Sequence, residues 1–483
     1  MSLSTALSIA QSALMNTARQ TSVVSRNVAD ASNPDYSRRQ AIVTSTAPGA
    51  RSVDIQRVTN DLLFRQNLGA LSAWSGQNAL FSGMDQLGVA VNGVDNASSP
   101  SSVIANLQQA LQLYATSPSN QNLGASVIDA AKQVVRSLNE GSKAVQDFRT
   151  QTDGQIATAV DDLNSLLSQF QDANTAVMTG TRSGNDVSDA LDQRDALLKK
   201  ISNYVPVSTF SRGDNDMVIT TGDGTTLFET IPRTVSFAAS AGYTAGAAGN
   251  AVYIDNVPIS AGAGGNTSAS GTLAGLLQLR DGVASTMQSQ LDETARGLIT
   301  AFAETAPSQP NKTGLFTWSG APVVPAGGTL VNGLAASISV NAAMDPSSGG
   351  NPTRLRDGGA NGAAYVANTG GASYSTLLIA YGDRLDQPMA FDPAAGVSAT
   401  SSVSDYAANS IGWFEGVRQQ ASTASDAKEA LASRSAEALS NATGVNVDQE
   451  MSLLLDLEHT YQASARMMKT VDDMMAALLN AVG

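Results

Sequence analysis

The sequence GVNVDQEMSLLLDLEHTYQASARMMKTVDDMMAALLNAVG occupies residues 444–483 and carries a heptad pattern. The side chains that recur at every seventh position are Val447, Leu454, Tyr461, Met468, Met475 and Val482. A second set lies three residues further along each repeat and comprises Leu457, Ser464, Val471 and Leu478. This spacing predicts a helix that is capped by Asp448 and packs along a partner helix.

The first thirty residues supply a matching seam. Its positions alternate spacings of four and three, and they hold Leu3, Leu7, Ala10, Leu14, Thr17, Thr21, Val24 and Val28. Two such helices at opposite ends of the chain predict a terminal coiled coil, with everything else inserted between them. The predicted assembly interface comprises Leu3, Leu7, Leu14, Val24, Val28, Val447, Leu454, Tyr461, Met468, Met475 and Val482.

Five of the eight positions of the N-terminal seam hold large apolar side chains, and the other three hold alanine or threonine. Burial along it therefore offsets little of the conformational entropy that is lost when the helix orders. We expect both ends to order against other subunits rather than alone. The alternative is a pair of ordinary terminal helices that pack together within a monomer.

Composition excludes several classes of protein. The 483 residues carry a net charge of −14, with 28 basic and 42 acidic side chains, and no basic run is longer than a pair such as Arg38–Arg39. Nucleic acid and anionic membrane are therefore not expected partners. The chain has no cysteine, which excludes disulfides and thiolate metal sites and suits passage of an unfolded chain through an export channel.

The sequence predicts neither a membrane span nor a cleaved signal peptide. No apolar run approaches the length that spans a membrane. The first cation is Arg19, and polar residues interrupt the apolar positions before it. Low charge (14%) and few aromatic residues (5%) are typical of extracellular assembly proteins rather than of soluble enzymes.

Helical and strand-like patterns alternate along the chain. We predict a mainly α fold with β-rich inserts, in which the terminal helices form a coiled coil, a long helical bundle forms a rod, and one or two β domains are inserted. The expected boundaries are 1–60 and 442–483 for the coiled coil, 61–205, 271–306 and 401–441 for the rod, and 206–270 and 307–400 for the inserts.

Within the inserts the pattern predicts short strands and tight turns. The stretch from Val207 to Thr230 alternates like β-hairpins, with Gly222-Asp223-Gly224 as a hairpin turn. The runs SISVN and LLIAY, which begin at Ser337 and Leu377, are expected to be brief strands. Because the inserts are expected to face outward, replacing residues 308–398 with a short linker should preserve export and assembly.

Four short motifs accompany the heptads. The first is NVADASNPDYSRRQ at 27–40, and the second is GVNVDQEM at 444–451 with YQASAR at 461–466. The others are LDQRDALLKKIS, which begins at Leu191, and SGTLAGLLQLRD, which begins at Ser270. Together these motifs resemble the bacterial flagellar axial proteins and, within them, the hook-associated proteins of the hook–filament junction. The residues that carry the motif resemblance include Asn27, Pro34, Tyr36, Arg38, Asp192, Arg194 and Asp195.

The first motif departs from the flagellar pattern at Asp30, Asn33 and Asp35, where that family usually has Asn, Thr and Gly. The departures concern only the geometry of the turn around Pro34. In the third motif, we expect Asp192, Arg194 and Asp195 to form ion pairs that set the register of the helical bundle.

The resemblance implies a structural subunit that polymerises through its terminal helices and joins the hook to the filament. The implied partners are further copies in a helical ring, the hook protein, the next junction protein (hook-associated protein 3), and the flagellar export chaperone and export apparatus. The implied location is extracellular, in the flagellum. No turnover and no cofactor are expected.

The residues that could take part in catalysis or metal binding are better explained by structural roles. His459 is the only histidine and lies on the outer face of the terminal helix, so no Ser-His-Asp triad can be assembled around it. The adjacent pairs Asp161–Asp162 and Asp472–Asp473 diverge by about 100° on a helix and cannot share a proton. Asp214-Asn215-Asp216 lacks the glutamate that closes a calcium loop. We therefore predict no catalytic, cofactor or metal site.

Three alternatives remain open at the level of sequence. One is another flagellar axial subunit, such as a hook, rod or flagellin-like protein, although the long helical region before residue 205 argues against it. The second is an extracellular adhesin whose inserts bind a ligand, and the third is an extracellular hydrolase, for which the sequence shows no set of catalytic residues. A glycan array would separate the adhesin from the structural subunit.

Overall fold

The computed structural model describes residues 3–46, 50–261 and 270–482. The side chains of Leu3 and Val482, two predicted seam residues, lie outside the described part. Long helices account for most of the chain and are accompanied by small antiparallel sheets, so the fold is mainly α with β inserts. The predicted fold class is confirmed.

The helices include five of more than twenty-five residues, which match the long periodic stretches of the sequence. Their bounds are α1 Leu3–Ala29, α2 Asp61–Asn92, α3 Pro100–Thr116, α4 Gln121–Arg182, α5 Ser188–Tyr204, α6 Thr272–Leu277, α7 Ala284–Ala301, α8 Leu334–Ser337, α9 Thr353–Asp357, α10 Thr376–Asp386, α11 Val403–Thr443 and α12 Val447–Val482. A π-helical turn, Gln278–Val283, connects α6 to α7.

The strands are short and pair antiparallel in the described residues. Their bounds are β1 Arg39–Thr46, β2 Ala50–Arg57, β3 Val207–Ser211, β4 Met217–Thr221, β5 Thr226–Glu229, β6 Ile231–Pro232, β7 Val235–Ser236, β8 Tyr253–Ile254, β9 Val257–Pro258, β10 Phe316–Thr317, β11 Ser339–Val340, β12 Met389–Ala390 and β13 Thr400–Ser401. They form the sheets β1-β2, β3-β4-β5-β6, β7-β8-β9, β10-β11 and β12-β13.

The chain divides into two compact units. Unit 1 comprises Met1–Trp74, Asp162–Thr234 and Ala427–Gly483. Unit 2 comprises Ser75–Asp161 and Val235–Asp426. These bounds differ from the expected division into coiled coil, rod and inserts, and that three-part division stays a prediction.

In unit 1, α1 packs along α12 and the β1-β2 hairpin packs against α1. The meander β3-β4-β5-β6 forms a second layer, in which Phe228 of β5 meets Phe170 of α4 edge to face at 5.0 Å. Asp214 and Asn215 adopt left-handed backbone conformations (φ 60° and 59°) in the turn between β3 and β4. Asp and Asn tolerate that conformation well, so the turn chemistry favours this hairpin.

Unit 2 has one large apolar core. Its helical contributors include Leu87, Leu138 and Leu298, all fully buried. The segment 307–400 also supplies fully buried side chains to this core, namely Leu315, Phe316, Leu334, Ile338, Leu355, Leu378, Tyr381, Leu385 and Phe391. This segment is therefore part of the unit 2 core.

The motif that begins at Ser270 explains a close helix contact in unit 2. A Cβ on Gly275 would lie 2.4 Å from the carbonyl oxygen of Gly76, so only glycine fits there. The π-helical turn that follows places Arg280, which is fully buried, against Asp153. The Arg280 guanidinium also donates to the Asn250 carbonyl oxygen at 2.7 Å, which ties the segment before β8 to the helices.

One expected strand is a helix. The run LLIAY at 377–381 lies inside α10, whose buried residues are Leu378, Tyr381 and Leu385. These positions follow helical spacing, which a five-residue window cannot reveal because a short apolar run fits a helix or a strand equally. The strand predicted within SISVN is present as β11, and Gly222-Asp223-Gly224 lies in the turn between β4 and β5 as predicted.

Candidate assembly site

The contact between α1 and α12 follows heptad spacing. The buried residues of α12 are Glu450, Leu457 and Ser464, at 0%, 6% and 5% exposure. On α1 the buried positions of the predicted seam are Ala10, Thr17 and Val24, also seven residues apart. The same seven-residue spacing on both helices is that of a coiled-coil seam.

The predicted interface residues occupy three environments. Val24 is buried, whereas Val447 and Tyr461 are exposed by 43% and 45%. The half-buried residues are Leu7, Leu14, Val28, Leu454, Met468 and Met475. The buried residues of α12, which are Glu450, Leu457 and Ser464, thus lie three residues after Val447, Leu454 and Tyr461. Contact of these side chains with other subunits stays a prediction.

A second apolar surface on α12 has no cover within the described residues. Leu453, Met467, Met474 and Leu478 are exposed by 40–60% and share one side of the helix, and we term them the outer stripe. Met15 on α1 is exposed by 61%. A row of large apolar side chains in water is the usual mark of a protein–protein contact.

Asn27 joins the N-terminal motif to the C-terminal motif. Its Oδ1 accepts hydrogen bonds from the Tyr36 hydroxyl at 2.8 Å and from the Arg39 backbone N–H at 3.1 Å. Its Nδ2 donates to the Arg39 carbonyl oxygen at 2.9 Å and to Glu450 Oε2 at 3.0 Å. Asn27 is 1% exposed, and its amide thereby ends α1, positions β1 and binds the start of α12.

Glu450 and Arg38 form a second link at the same place. Arg38 Nε donates to Glu450 Oε1 at 2.6 Å, and the Arg38 backbone N–H donates to the Thr443 carbonyl oxygen at 2.8 Å. The Glu450 carboxylate is buried, so its charge is balanced by Arg38 and by the Asn27 amide. The residues between α1 and β1 are thus held against the turn between α11 and α12.

The third motif and Asp189, which precedes it, bind the base of the hairpin through a partly buried ionic network. Arg57 Nε donates to Asp192 Oδ1 at 2.7 Å, and Arg57 Nη2 donates to Asp195 at 2.5 Å. Arg39 Nη2 bridges Asp189 and Asp192. Two arginines on paired strands thereby face three carboxylates on α5, which sets the hairpin's position on that helix.

Burial and the neighbouring arginines shift the pKa values of these carboxyl groups in opposite directions. Burial raises the pKa of Asp192 above its ordinary value, although Arg57 and Arg39 act to lower it. Burial also acts to raise the pKa of Asp189, but hydrogen bonds from Arg39 and Arg26 outweigh it and leave that pKa below the ordinary value. Burial raises the pKa of Tyr36 to about 12, so its hydroxyl stays protonated and donates to Asn27.

Arg194 and Pro34 lie apart from the network. Arg194 Nη1 donates to Asn174 Oδ1 at 3.1 Å and to the Asn215 carbonyl oxygen at 2.6 Å, and it forms no ion pair with any described carboxylate. The expectation that Arg194 forms an ion pair is therefore wrong, because it points away from Asp192 and Asp195 to the turn after β3. Pro34 is exposed, and its carbonyl oxygen accepts a hydrogen bond from Lys199 at 3.4 Å.

Sequence reasoning missed four participants: Arg39, Arg57, Asp189 and Glu450. Glu450 did carry a signal, since it precedes Leu457 and Ser464 by one and two heptads and is therefore an acid on a seam. The arginines carried none, because their partners lie more than a hundred positions away.

Other candidate chemistry stays unsupported in the described residues. His459 is exposed on α12. Within residues 3–46, 50–261 and 270–482, no cluster of three His, Asp or Glu side chains is arranged to hold a metal ion. None of the described helices is both long and apolar enough to cross a membrane.

Comparison with known proteins identifies two families. Residues 86–308 match the flagellar hook-associated protein FlgK helical domain. Residues 438–481, which include α12, match the C-terminal segment of the flagellar basal body rod FlgEFG proteins.

A relative and a solved structure are also similar. Flagellar hook-associated protein 1 of Bacillus subtilis (strain 168) is 22% identical over 520 residues, which cover 99% of this chain and 97% of the relative. The solved flagellar hook junction protein FlgK from Burkholderia pseudomallei has a TM-score of 0.42 at 19% identity. That likeness covers 53% of this chain and 47%, about half, of the solved chain.

The paired terminal helices and the two family matches define an axial protein of the bacterial flagellum, which is a structural class of protein. Within that class the chain is similar to the flagellar hook-associated proteins of the FlgK type, through the helical-domain match at 86–308 and the 22% identical relative. The resemblance predicted from the four motifs is confirmed.

Proposed function

We propose that this chain is the structural subunit that joins the flagellar hook to the filament, and that it polymerises through α1 and α12. The single observation that carries the proposal is the outer stripe of α12, which remains exposed after α1 has covered the buried line of that helix. The similarity to a hook-associated protein, at 22% identity across 99% of this chain, supports the junction role.

Assembly supplies the missing cover for the outer stripe. Each large apolar side chain that moves from water into a contact contributes roughly 1.5–3 kcal/mol. Leu453, Met467, Met474 and Leu478 together form a long, narrow apolar surface, which suits the terminal helices of neighbouring copies.

The polar links at the base of the helix pair have a positioning role in this proposal. Asn27, Arg38 and Glu450 hold the two helices together where they meet the rest of unit 1. The Arg39 and Arg57 network holds the hairpin to α5. Both sets keep the helix pair at one orientation, so that copies in a ring present the same surface.

The partners follow from the family rather than from any contact described above. We propose further copies in a helical ring, the hook protein on one side, hook-associated protein 3 on the other, and the export chaperone and export apparatus before assembly. The location is the extracellular flagellum. The mechanism is coupled folding and binding, with no cofactor and no turnover.

The test replaces one residue of the outer stripe. Met467→Asp places a charge in the proposed contact, whereas Gln462→Asp adds the same charge five positions earlier and about 140° around the helix. Each variant replaces the parental chain in a motile strain, and flagella are examined by electron microscopy. We expect Met467→Asp to give hooks without filaments and Gln462→Asp to give normal flagella.

Normal filaments with Met467→Asp would contradict assembly through α12. Normal filaments in a strain that lacks this chain entirely would contradict the junction role itself. Far-UV circular dichroism of both purified variants establishes that the helices outside the contact are retained.

A further inference from the structure

Strand β3 presents an open sheet edge. Among the described residues it pairs only with β4, and the ladder continues with the Arg212 N–H donating to the Asp216 carbonyl oxygen. Hydrogen bonding alternates along an antiparallel pair, so every second residue of β3 turns its backbone N–H and C=O away from β4. Those residues are Val207, Thr209 and Ser211.

This edge lies in a groove of unit 1. The groove has a volume of about 970 Å³, and Thr209, Phe210 and Ser211 line it. Phe210 is exposed by 55%, and the strand sequence VSTFS contains no charge and no proline. Soluble proteins usually protect an edge with lysine, proline or a covering segment, so an unprotected edge is suited to accept another strand.

Strand β1 presents a second open edge in the same unit. The N–H and C=O of Arg39 bind Asn27, which identifies the outward side of β1. The next outward residues are Ala41 and Val43, and neither has a backbone partner on that side in the described part of the chain. Ile42 and Val43 are exposed by 37% and 36%.

Charge favours β1 over β2 as the strand that enters the groove. The groove carries charges of both signs: Asp30, Asp61 and Glu437 line it, and so do Arg65, Arg194 and Lys199. The β1 segment QAIVT at 40–44 is uncharged, whereas β2 carries two arginines and one aspartate. An uncharged strand meets no like charge in this groove, whereas each charge of β2 does.

We propose that β1 of one copy adds to the edge of β3 in a second copy, so that a sheet continues between subunits. This inference rests on the proposed assembly of copies into a ring or tube. The two edges are different surfaces of one unit, so the contact is head to tail. A head-to-tail contact that does not close on itself generates a helical array, as an axial protein requires.

The contact is short, which accounts for its dependence on assembly. β3 offers five residues, and a strand of that length adds few hydrogen bonds. Once α1 and α12 hold neighbouring copies together, the second contact forms at a high effective concentration. Strand pairing then fixes the register between neighbouring subunits, because the apolar contacts of the helices do not define that register by themselves.

The natural absence of cysteine makes a cross-linking test clean. Flagella are isolated from cells whose only copy of this chain carries Val43→Cys and Ser211→Cys, and they are treated with a mild oxidant. We expect a ladder of disulfide-linked multimers. Val43→Cys with Ser168→Cys, an exposed position on α4, is the matched control and should give no ladder above background.

A proline variant tests the backbone contact itself. Thr209→Pro in the double-cysteine chain removes an outward N–H and leaves the hydrogen bonds to β4 intact. The ladder of disulfide-linked multimers should therefore be lost. Thr209→Ala should retain the ladder. Intact flagella without a ladder would overturn the strand pairing and leave the junction role standing, and a dimer from Ser211→Cys alone would instead indicate β3 pairing with itself.

If the parental chain is absent from flagella, the proposed function fails, and the pairing is then tested on purified full-length chains. Val43→Cys and Ser211→Cys chains are mixed at high concentration and oxidised. Random collisions give twice as much heterodimer as each homodimer, so a heterodimer in clear excess over that ratio supports the pairing. The random ratio, a lower ratio, or no product overturns it.

Discussion

Asn27 and Glu450 are 423 positions apart in the chain, and their side chains form a hydrogen bond of 3.0 Å in a site from which water is excluded. Their exposures are 1% and 0%. A buried carboxylate is tolerated only when its charge and lone pairs are satisfied, and here Arg38 supplies the charge. The two ends of the chain are thus joined by polar groups that depend on one another.

The first prediction concerns that dependence. Glu450→Gln keeps the shape of the side chain but removes the charge that balances Arg38, so we expect the free energy of unfolding to fall by about 1.5–3 kcal/mol. Urea denaturation followed by circular dichroism measures the change. Glu458→Gln, on the exposed part of α12, should stay within about 0.5 kcal/mol of the parent. Equal effects of the two variants would contradict the role of the buried pair.

The terminal helices could be predicted because a heptad is a local signal that survives any tertiary context. Residues such as Leu457 and Val24 reveal their helix and its buried side by spacing alone. The heptad places Glu450 on the buried side of α12, but its partner Arg38 could not be predicted, since it lies 412 positions away. Ionic partners at such separation leave no pattern in a single sequence.

Arg194 shows the opposite error. Its position between two acids in LDQRD favoured an ion pair, yet side chains one residue apart on a helix diverge by about 100°. Asp192 and Asp195 share a side and meet Arg57, while Arg194 reaches Asn174 on α4. Periodicity applied to the charged residues, and not only to the apolar ones, would have separated them.

A second prediction concerns pH. The Asp292 carboxylate is buried and accepts hydrogen bonds from the N–H groups of Gly333 at 2.9 Å and Ala335 at 2.8 Å. Burial raises the pKa of Asp292 to about 6, although these hydrogen bonds act to lower it. The native state therefore holds a proton that the unfolded chain releases at lower pH. The stabilisation from this group is greatest below about pH 4 and is lost as the pH rises through about 6.

Asp292→Asn removes this titration. Relative to the variant, the parent should lose on the order of 1–3 kcal/mol of unfolding free energy between about pH 4 and pH 7. Urea denaturation of both chains across that range measures the difference. Asp129→Asn, at an exposed position on α4, serves as the control and should leave the pH profile of the parent unchanged. A parent and an Asp292→Asn variant with parallel profiles would refute the prediction.

A third prediction concerns the glycine at the helix crossing of unit 2. Gly275→Ala would place a Cβ 2.4 Å from the Gly76 carbonyl oxygen, and backbone atoms cannot yield as a flexible side chain does. We expect a loss of about 1–3 kcal/mol in the free energy of unfolding. Gly154→Ala, in α4 of the same unit, meets no atom within 4 Å and should gain up to about 1 kcal/mol. Thermal denaturation of both variants tests the opposite signs.

The last prediction reverses an expectation drawn from composition. The Gly/Pro/Asn-rich composition of segment 307–400 predicts a dispensable surface insert, so that replacing residues 308–398 should preserve assembly. Phe316, Ile338 and Tyr381 from this segment are instead at most 1% exposed in the core of unit 2. Phe302 of the segment just after α7 packs against Phe316 and Tyr381 with ring centroids 5.3 and 5.2 Å apart.

Replacing residues 308–398 with a Gly/Ser linker should therefore unfold unit 2, because it removes the partners of side chains that remain. We expect loss of the cooperative thermal transition and rapid proteolysis within 75–161. A five-residue Gly/Ser insertion between Gly370 and Gly371, in an exposed loop of the same segment, is the control and should leave the transition in place, since loop closure varies only slowly with length. A deletion variant that melts cooperatively, like the control, would show that the buried aromatic residues are replaceable and that the composition was the better guide.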